Sequence, residues 1–290
     1  MPSSLALFRV RFSALLLALA CGGFASQAAP DSAVPIRVGT FNIRYQNNND
    51  GPNGWEHRRD MVLGLIQFHD WEIFGIQEAV AGQIRDLAGM TRYAHVGVGR
   101  DDGAEGGEHS PVFYDRARFA LLDSGTFWLS DTPEKVSRGW DAACNRVCSW
   151  VKLRDQTSGK VFFFFNTHLD HRGKEARKRG IALIMERIAK RDPATAPVIL
   201  TGDFNASPDS DVIATATAQL RDTKTESQLK PYGPVGTING FNYQAPLKQC
   251  IDYIFASPGT KVLRHGVLSD SRDQRFPSDH LPVMTQLVLP

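Results

Sequence analysis

An α/β fold is predicted for this chain, and three observations predict it. Apolar runs of strand length alternate with amphipathic stretches of helical spacing. The run Val161-Phe-Phe-Phe-Phe165 is apolar at every position, as a strand buried on both faces must be. Apolar runs also end, repeatedly, in polar residues. The sharpest case is Val198-Ile-Leu-Thr-Gly-Asp-Phe-Asn205: a short strand, a break at Thr201 and Gly202, then Asp203 and Asn205 projecting from its mouth. Carboxyl ends of strands are where α/β sheets present functional groups. Taken alone, Gly-Asp-x-Asn is also an ordinary turn, so the rest of the chain must decide.

The elements follow in order. Residues 36–44 alternate as a strand and deliver Asn42, with a polar loop over 46–54. Residues 57–68 have helical apolar spacing at Met61, Leu63, Leu65 and Ile66. A second strand, 71–78, ends in Gln77 and Glu78, and a helix covers 79–87. Strands are expected over 93–98 and 108–114, with a Gly/Asp/Glu-rich loop at 99–107. A strand over 117–128, bent at Gly125, precedes an irregular polar loop over 129–143. Residues 148–153 and 160–167 read as a hairpin around Gln156-Thr-Ser-Gly159. The second arm delivers Asn166, Thr167, His168 and Asp170. Residues 175–190 form an amphipathic helix with Ile181, Leu183, Ile184 and Ile188 inward. After a short helix near 209–219, the polar stretch 221–247 is too long for a plain connection and reads as a functional surface loop. Strands at 250–255 and 262–268 follow. Ser278-Asp-His280 precedes the last strand, 282–289.

Across 290 residues, 42% hydrophobic and 22% charged residues make an ordinary globular composition. The net charge of +2 does not announce a nucleic-acid binder, although it leaves room for a local basic groove. Arg9 and Arg11 precede an apolar run over 12–20 and small residues through Ala29, the pattern of a secretory leader. The division expected is a signal peptide over 1–28 and a single domain over 29–290, exported to the periplasm or secreted. Lipidation at Cys21 is the rival. The apolar run is too short for a stable membrane span, and a monomer is expected. After the leader, Cys144, Cys148 and Cys250 remain; the favoured arrangement is one local disulfide between Cys144 and Cys148 plus one buried thiol.

The polar strand ends make one constellation: Asn42, Glu78, Glu108, Asn166 with His168, Asp203 with Asn205, Asp252, and Asp279 with His280. Strand ends along one sheet edge converge in space. Carboxylate and amide oxygens are hard ligands suited to Mg2+ or Mn2+. Imidazoles beside such a cation suit phosphate-ester hydrolysis, with a carboxylate activating water for in-line attack. No nucleophile elbow, Walker loop or Gly-x-Gly-x-x-Gly pattern is present.

Six motifs in order carry a resemblance: Thr40-Phe-Asn-Ile-Arg44, Gly75-Ile-Gln-Glu78, Asn166-Thr-His-Leu-Asp170, Gly202-Asp-Phe-Asn205, Ile251-Asp-Tyr253 and Ser278-Asp-His280. The chain resembles the endonuclease/exonuclease/phosphatase superfamily over about residues 36–290. The resemblance implies a DNase I-like, four-layer α-β-β-α sandwich of two packed mixed sheets. It implies Glu78 as principal metal ligand with Asn42 beside it, and Asp279 on the metal side. It implies that Asp203 deprotonates or orients water, that Asn205 holds water or phosphate, and that His168 and His280 contact phosphate oxygens. Asp252 then orients His280 and Glu108 orients His168.

Within that family, Gly139-Trp-Asp-Ala-Ala143, His168-Leu-Asp-His171 and Thr237-Ile-Asn-Gly-Phe241 resemble a bacterial exported group near the deadenylase-like nucleases. Asn166, Trp140, Arg146 and Phe241 become candidate substrate-binding residues, and Trp140, Arg146, Trp150 and Phe241 are placed to stack on or clamp a base or another leaving group. The activity expected is a Mg2+-dependent (or Mn2+-dependent) phosphodiesterase on nucleic acid or nucleotide-like substrates. The alternatives are a phosphomonoesterase on sugar or inositol phosphates, a sphingomyelinase-like lipid phosphodiesterase, and a catalytically silent binding module. Tyr253 stands where inositol phosphatases usually carry Arg, which lowers a phosphoinositide substrate. No apolar hairpin for membrane contact is evident. The basic cluster Arg172, Lys174, Arg177 and Lys178 opens a helix, where a solvated face explains it.

Overall fold

Two six-stranded mixed sheets stack face to face in the computed structural model, which describes residues 1–3, 34–191 and 196–290. The expected leader, apart from residues 1–3, with its expected cleavage site after Ala28 and Cys21, lies outside the described residues. One sheet is built from β1 (Ile36–Asn42), β2 (Ile73–Gln77), β3 (Tyr93–Val96), β4 (Val112–Asp115), β11 (Lys261–Val267) and β12 (Val283–Val288), in the order β11-β12-β1-β2-β4-β3. The other holds β5 (Phe119–Trp128), β6 (Val147–Asp155), β7 (Val161–His168), β8 (Val198–Asp203), β9 (Arg221–Asp222) and β10 (Asp252–Ala256), in the order β5-β6-β7-β8-β10-β9.

The two sheets repeat one device. Each has a single parallel pair at its centre, β1 with β2 and β7 with β8, and every other pairing is antiparallel. A parallel neighbour requires a crossover, supplied by α1 (Trp55–Phe68) in the first sheet and α3 (Lys174–Ala189) in the second. Each parallel pair therefore places the carboxyl ends of two strands side by side: Asn42 with Gln77 and Glu78, and His168 with Asp203.

Alternation along the strands sorts the core into layers. Phe162 and Phe164 point between the sheets, against Ile36, Val38 and Ile73. Phe163 and Phe165 point the other way, beneath Ile181, Ile184 and Ile188 of α3 and Ile213 of α4 (Asp211–Thr217). On the far face Phe41, Phe74 and Ile76 pack beneath Val62, Leu65 and Ile66 of α1 and Leu87 of α2 (Ala81–Ala88). The layers thus run helix, sheet, sheet, helix. Burying one Phe or Ile fully contributes roughly 1.5–3 kcal/mol, which is why β7 is phenylalanine on both faces.

Several local expectations are corrected. In α1, Val62 is buried while Met61 and Leu63 are half-buried, because the inward stripe runs Trp55, Arg58, Val62, Leu65 and Ile66. The fifth strand bends not at Gly125 but by a register shift between Leu121 and Asp123. Glu108 precedes β4 rather than lying in it; the neighbouring His109 makes an isolated bridge to Ala79. No disulfide joins Cys144 to Cys148. Cys148 enters β6 facing the α3-side core, whereas Cys144 lies in the loop before it, its thiol on Asp170 Oδ2 at 3.7 Å.

Candidate active site

Asp203 is the centre of the site. It ends β8, is 1% exposed, and its Oδ2 faces three groups from three other elements. Asn42 Nδ2 donates to it at 3.0 Å, His168 Nε2 lies 3.5 Å away, and His280 Nδ1 lies 3.8 Å away. Its other oxygen accepts from the Asn205 backbone N–H at 2.9 Å. Asp203 reaches this position because β7 and β8 run close together at Gly202. Its φ is +154°, and a Cβ there would sit 2.1 Å from Thr167 O, so only glycine fits before the aspartate.

Asp252 opens β10 directly opposite Asp203 in the antiparallel register. Its Oδ2 accepts from His280 Nδ1 at 2.9 Å, while its Oδ1 is buried without a partner. Burial and the nearby Asp252 charge push Asp203 up to about 7. Burial opposes charge on His280, yet Asp252, Asp203 and Asp279 together hold it well above the ordinary histidine value, so it stands as imidazolium. His168 goes the other way: burial, with Arg146 and Arg100 nearby, keeps it neutral. Two imidazoles beside one carboxylate thus hold different protonation states, the separation that acid–base sites require.

The remaining residues frame this centre. Asn205 Nδ2 donates to His168 Nε2 and to Leu169 O, both at 3.0 Å, which places the neutral imidazole's proton on Nδ1. Glu78 Oε1 accepts from Asn42 at 3.0 Å and Oε2 from the Tyr45 N–H at 3.1 Å. Glu78 and Asn205 both have positive φ, +66° and +47°, an uncommon conformation for side-chain-bearing residues that costs on the order of 1–3 kcal/mol and clusters at functional sites. Ser278, buried, donates from Oγ to Asn42 O at 2.7 Å and to Asp279 Oδ1 at 3.2 Å, tying the loop before β12 to the end of β1. Thr237 Oγ1 accepts from the Ile251 and Asp252 N–H groups, and Leu281 N–H donates to Thr237 O, so residues 237–239 clamp Asp252 and His280 together.

Some expected site residues stand elsewhere. Asn166 does not reach substrate: it is fully buried between the sheets. Its amide donates to Ile76 O and Pro111 O at 2.7 and 2.9 Å and accepts from Gln77 and Thr201 at 2.6 and 3.1 Å. Its bulk explains Gly75 opposite, where a Cβ would meet Asn166 Oδ1 at 2.2 Å. Glu108 does not hydrogen-bond His168, whose Nδ1 is 3.9 Å away; it takes Arg100 at 2.6 Å instead. Trp140 is held on Asp131 at 3.1 Å with Arg179 of α3 over its ring at 4.8 Å. Phe241 lies beneath Arg58, 5.4 Å from its ring, in the loop whose Asn239 and Gly240 N–H groups bond Asp279 O. Arg146, by contrast, stays beside the site: it is buried on Asp170 and His171 with Nη1 lacking a hydrogen-bond partner. Sequence reasoning missed Ser278 as a site-building group, Thr237, and Arg100. The first two stand inside motifs quoted from the sequence, but their hydroxyls act mainly on backbone groups far along the chain, which only the fold brings near. Arg100 sits in a loop whose closure over Glu108 only the fold provides.

The donor set fits a hard divalent cation. Among the described residues no Lys or Arg ion-pairs with Glu78 or Asp279. Burial, and the like charge of Glu78, push Asp279 up against the opposing charges of His280 and Arg44. A bound cation relieves the like charge that remains between the two carboxylates. Asn42 lies beside Glu78, turning its amide nitrogen to Glu78 and Asp203 and its oxygen to the Arg44 N–H at 3.0 Å, so it bridges the two carboxylates. Asp203, Asp252 and His280 also have ligand atoms within 4.8 Å of one another. No helix among the described residues is long and apolar enough to cross a membrane.

A four-layer α/β sandwich with acidic, amide and imidazole groups converging at the strand ends is the make-up of a phosphoester hydrolase. The Endonuclease/Exonuclease/phosphatase family model matches residues 39–280, and the chain belongs to that family. Among solved structures it is similar to an endonuclease/exonuclease/phosphatase family protein from Bacteroides thetaiotaomicron, at 37% identity and TM-score 0.84 over 89% of this chain and 98% of that one. It is equally similar to the mannosyl-6-phosphatase of Bacteroides thetaiotaomicron VPI-5482: 37% identity, TM-score 0.84, 88% of this chain and 100% of that one. Nocturnin of Drosophila melanogaster is 24% identical over 90% of this chain and 48% of its own length. The chain spans about half the length of the curated relatives it matches, such as Nocturnin and, at 47%, the CCR4-Not complex 3'-5'-exoribonuclease subunit Ccr4 of Emericella nidulans.

Proposed function

We propose that this chain is an exported, divalent-metal-dependent phosphomonoesterase acting on a phosphorylated sugar or a comparable small ester. The chemistry rests on one observation. Asp203 Oδ2 faces Asn42, His168 and His280 at 3.0, 3.5 and 3.8 Å, so one carboxylate meets an amide, a neutral imidazole and an imidazolium. Water attacks phosphorus in line and loses its proton to Asp203. The P–O ester bond breaks, and its electron pair leaves with the sugar oxygen, which takes a proton from solvent. His280, charged and braced by Asp252, supplies charge to the phosphoryl oxygens, while the Asn205 amide, spent on His168 and Leu169 O, holds the neutral His168 in place. A divalent ion held by Glu78 and Asp279, beside Asn42, would supply further charge to those oxygens; Mg2+ or Mn2+ suits such oxygen donors.

The small monoester is favoured over nucleic acid by two points. The mannosyl-6-phosphatase relative matches from end to end, whereas the exonuclease relatives match at lower identity and over half their length. Of the three aromatics expected to stack on bases, Trp140 is engaged by Asp131 and Arg179, and Trp150 lies under Arg191, 4.1 Å from its ring centre. A nucleic-acid phosphodiesterase is the second reading, supported by Phe241 beside the Asp279 loop. Export is supported by the leader-like sequence of residues 1–28.

The test is hydrolysis by purified residues 29–290 with Mg2+ or Mn2+, against EDTA. Mannose 6-phosphate, glucose 6-phosphate, p-nitrophenyl phosphate, bis-p-nitrophenyl phosphate, RNA and single-stranded DNA are compared. Metal-dependent release of inorganic phosphate from the sugar phosphates is expected. Cleavage of RNA or DNA with no release from sugar phosphates would move the assignment to the nuclease reading.

A further inference from the structure

Beside the catalytic centre, on the side of His168 that faces away from Asp203, lie buried N–H groups that the protein leaves unused. Arg146 is 4% exposed. Its Nε donates to Asp170 Oδ2 at 3.3 Å, and its Nη2 lies 2.9 Å from His171 Nδ1. Its Nη1 is buried with no partner. The fork is held rigidly, because Asp170 is itself fixed: it accepts from the Ala143, Arg172 and Gly173 N–H groups at 3.1, 2.9 and 2.7 Å. Those bonds keep Asp170 ionised, so the anchor does not titrate away in the neutral range. Across from it, Arg100 gives Nη1 to Glu108 at 2.6 Å; its Nε is buried with no hydrogen-bond partner, Asp101 Oδ1 lying 4.0 Å away. Nδ1 of His168, 3.9 Å from Glu108, is a third orphan.

Buried polar groups are nearly always partnered. Three orphaned N–H groups around one imidazole, two of them on guanidiniums, call for acceptor oxygens that arrive with a ligand. Both arginines sit next to His168 in the fold: Glu108 accepts from Arg100 at 2.6 Å and lies 3.9 Å from His168 Nδ1, and Arg146 is held on Asp170 and His171, two and three residues beyond His168. A phosphoryl group seated at Asp203 presents three terminal oxygens if it is a monoester and two if it is a diester. The third position is an anionic oxygen in one case and an ester oxygen bearing a carbon chain in the other.

We propose that Arg146, with Arg100, binds the terminal phosphoryl oxygen that only a monoester possesses, and so makes the site select phosphomonoesters over phosphodiesters. The inference rests on the phosphoesterase reading of this site; it does not depend on the sugar. Arg146 is here a specificity-determining contact to the phosphoryl group, and Asp170 is the positioning residue that aims it.

The experiment compares kcat/KM for p-nitrophenyl phosphate and bis-p-nitrophenyl phosphate in wild type, Arg146→Met, Arg146→Lys and Arg100→Gln, with binding of inorganic phosphate measured by calorimetry on each. Arg146→Met is expected to lose at least 100-fold on the monoester and less than 3-fold on the diester. Its phosphate affinity should fall at least tenfold. Arg146→Lys should recover part of the monoester loss. Arg100→Gln leaves the Arg146–Asp170 pair intact and should lose about tenfold on the monoester alone, so it decides the matter if Arg146→Met fails to fold. Equal losses on both esters, or none on either with phosphate affinity unchanged, would overturn the clamp. Absence of turnover of both esters by wild type would overturn the phosphoesterase reading, and the phosphate affinities would still decide the clamp.

Discussion

Asp203 and Asp252 stand directly opposite each other across β8 and β10, two buried carboxylates in one register of an antiparallel ladder. Like charges so placed destabilise a sheet. His280 relieves one of them by taking Asp252 at 2.9 Å, and Asp203 is left with Asn42 and two imidazoles. The fold therefore carries an electrostatic burden at the point where the chemistry needs a base. Asp203→Asn should abolish hydrolysis by about 1,000-fold or more and, measured in EDTA, raise stability by about 1 kcal/mol. Activity assays paired with urea denaturation check both signs. A variant that is inactive and also less stable than wild type would refute the opposition of function and stability.

His280→Ala removes the imidazolium that Asp252 holds and leaves Asp252 buried without its partner. A loss of about 1,000-fold in kcat/KM is expected, with a fall in stability of roughly 1–3 kcal/mol from the orphaned carboxylate. Circular dichroism should still show the α/β signature.

Glu78 carries the prediction about metal. Mg2+ or Mn2+ should raise the melting temperature of the wild-type protein, because a ligand that binds only the folded chain stabilises it. Glu78→Gln should abolish most of that rise while leaving the melting temperature in EDTA nearly unchanged. A full metal-dependent rise in the variant would remove Glu78 from the ligand set.

Asn166→Ala separates structure from chemistry. The side chain satisfies groups of both sheets and touches no solvent. Its loss should cost about 3 kcal/mol by leaving buried carbonyl and amide groups short of partners. Turnover per folded molecule should stay within tenfold of wild type.

His265 should give the protein an acid limb of stability. Burial, and then Lys224, hold it down to about 4, and its Nδ1 rests 3.0 Å from Thr223 Oγ1. Against the ordinary value of 6.5, the unfolded chain binds the extra proton first as pH falls. Stability from this group is fully present above about pH 6.5 and is lost toward pH 4, by up to about 3 kcal/mol. The difference between wild type and His265→Asn, followed by denaturation from pH 7 to 4, isolates it; parallel pH profiles would contradict the assignment.

The free cysteines give the last prediction. Denatured protein spanning residues 29–290 should titrate three thiols without reductant, and folded protein should react first at Cys144, since Cys148 and Cys250 are buried.

Periodicity and chain order determined much of this protein. The phenylalanine run of β7 could only be an interior strand. The polar endings at Asn42, Glu78, His168, Asp203, Asp252 and His280 marked the edge where groups converge. Those are local properties: apolar residues fill the body of a strand buried on both faces, and polar residues gather toward the end where it leaves the core. Tertiary structure decided what depends on neighbours far along the chain. Asn166 lies on the same strand as His168 and two residues away, so both side chains leave the same face. One meets Gly75 and Gln77 of the facing sheet and is sealed, while the other clears the sheet edge and meets Asp203. Glu108 is drawn to Arg100 instead of His168 because a loop closes over it. Arg146 keeps an unused N–H because Asp170 and His171 hold the rest of its fork. Local sequence decides which groups a strand end carries; only packing determines which of them are buried with a bond still to make.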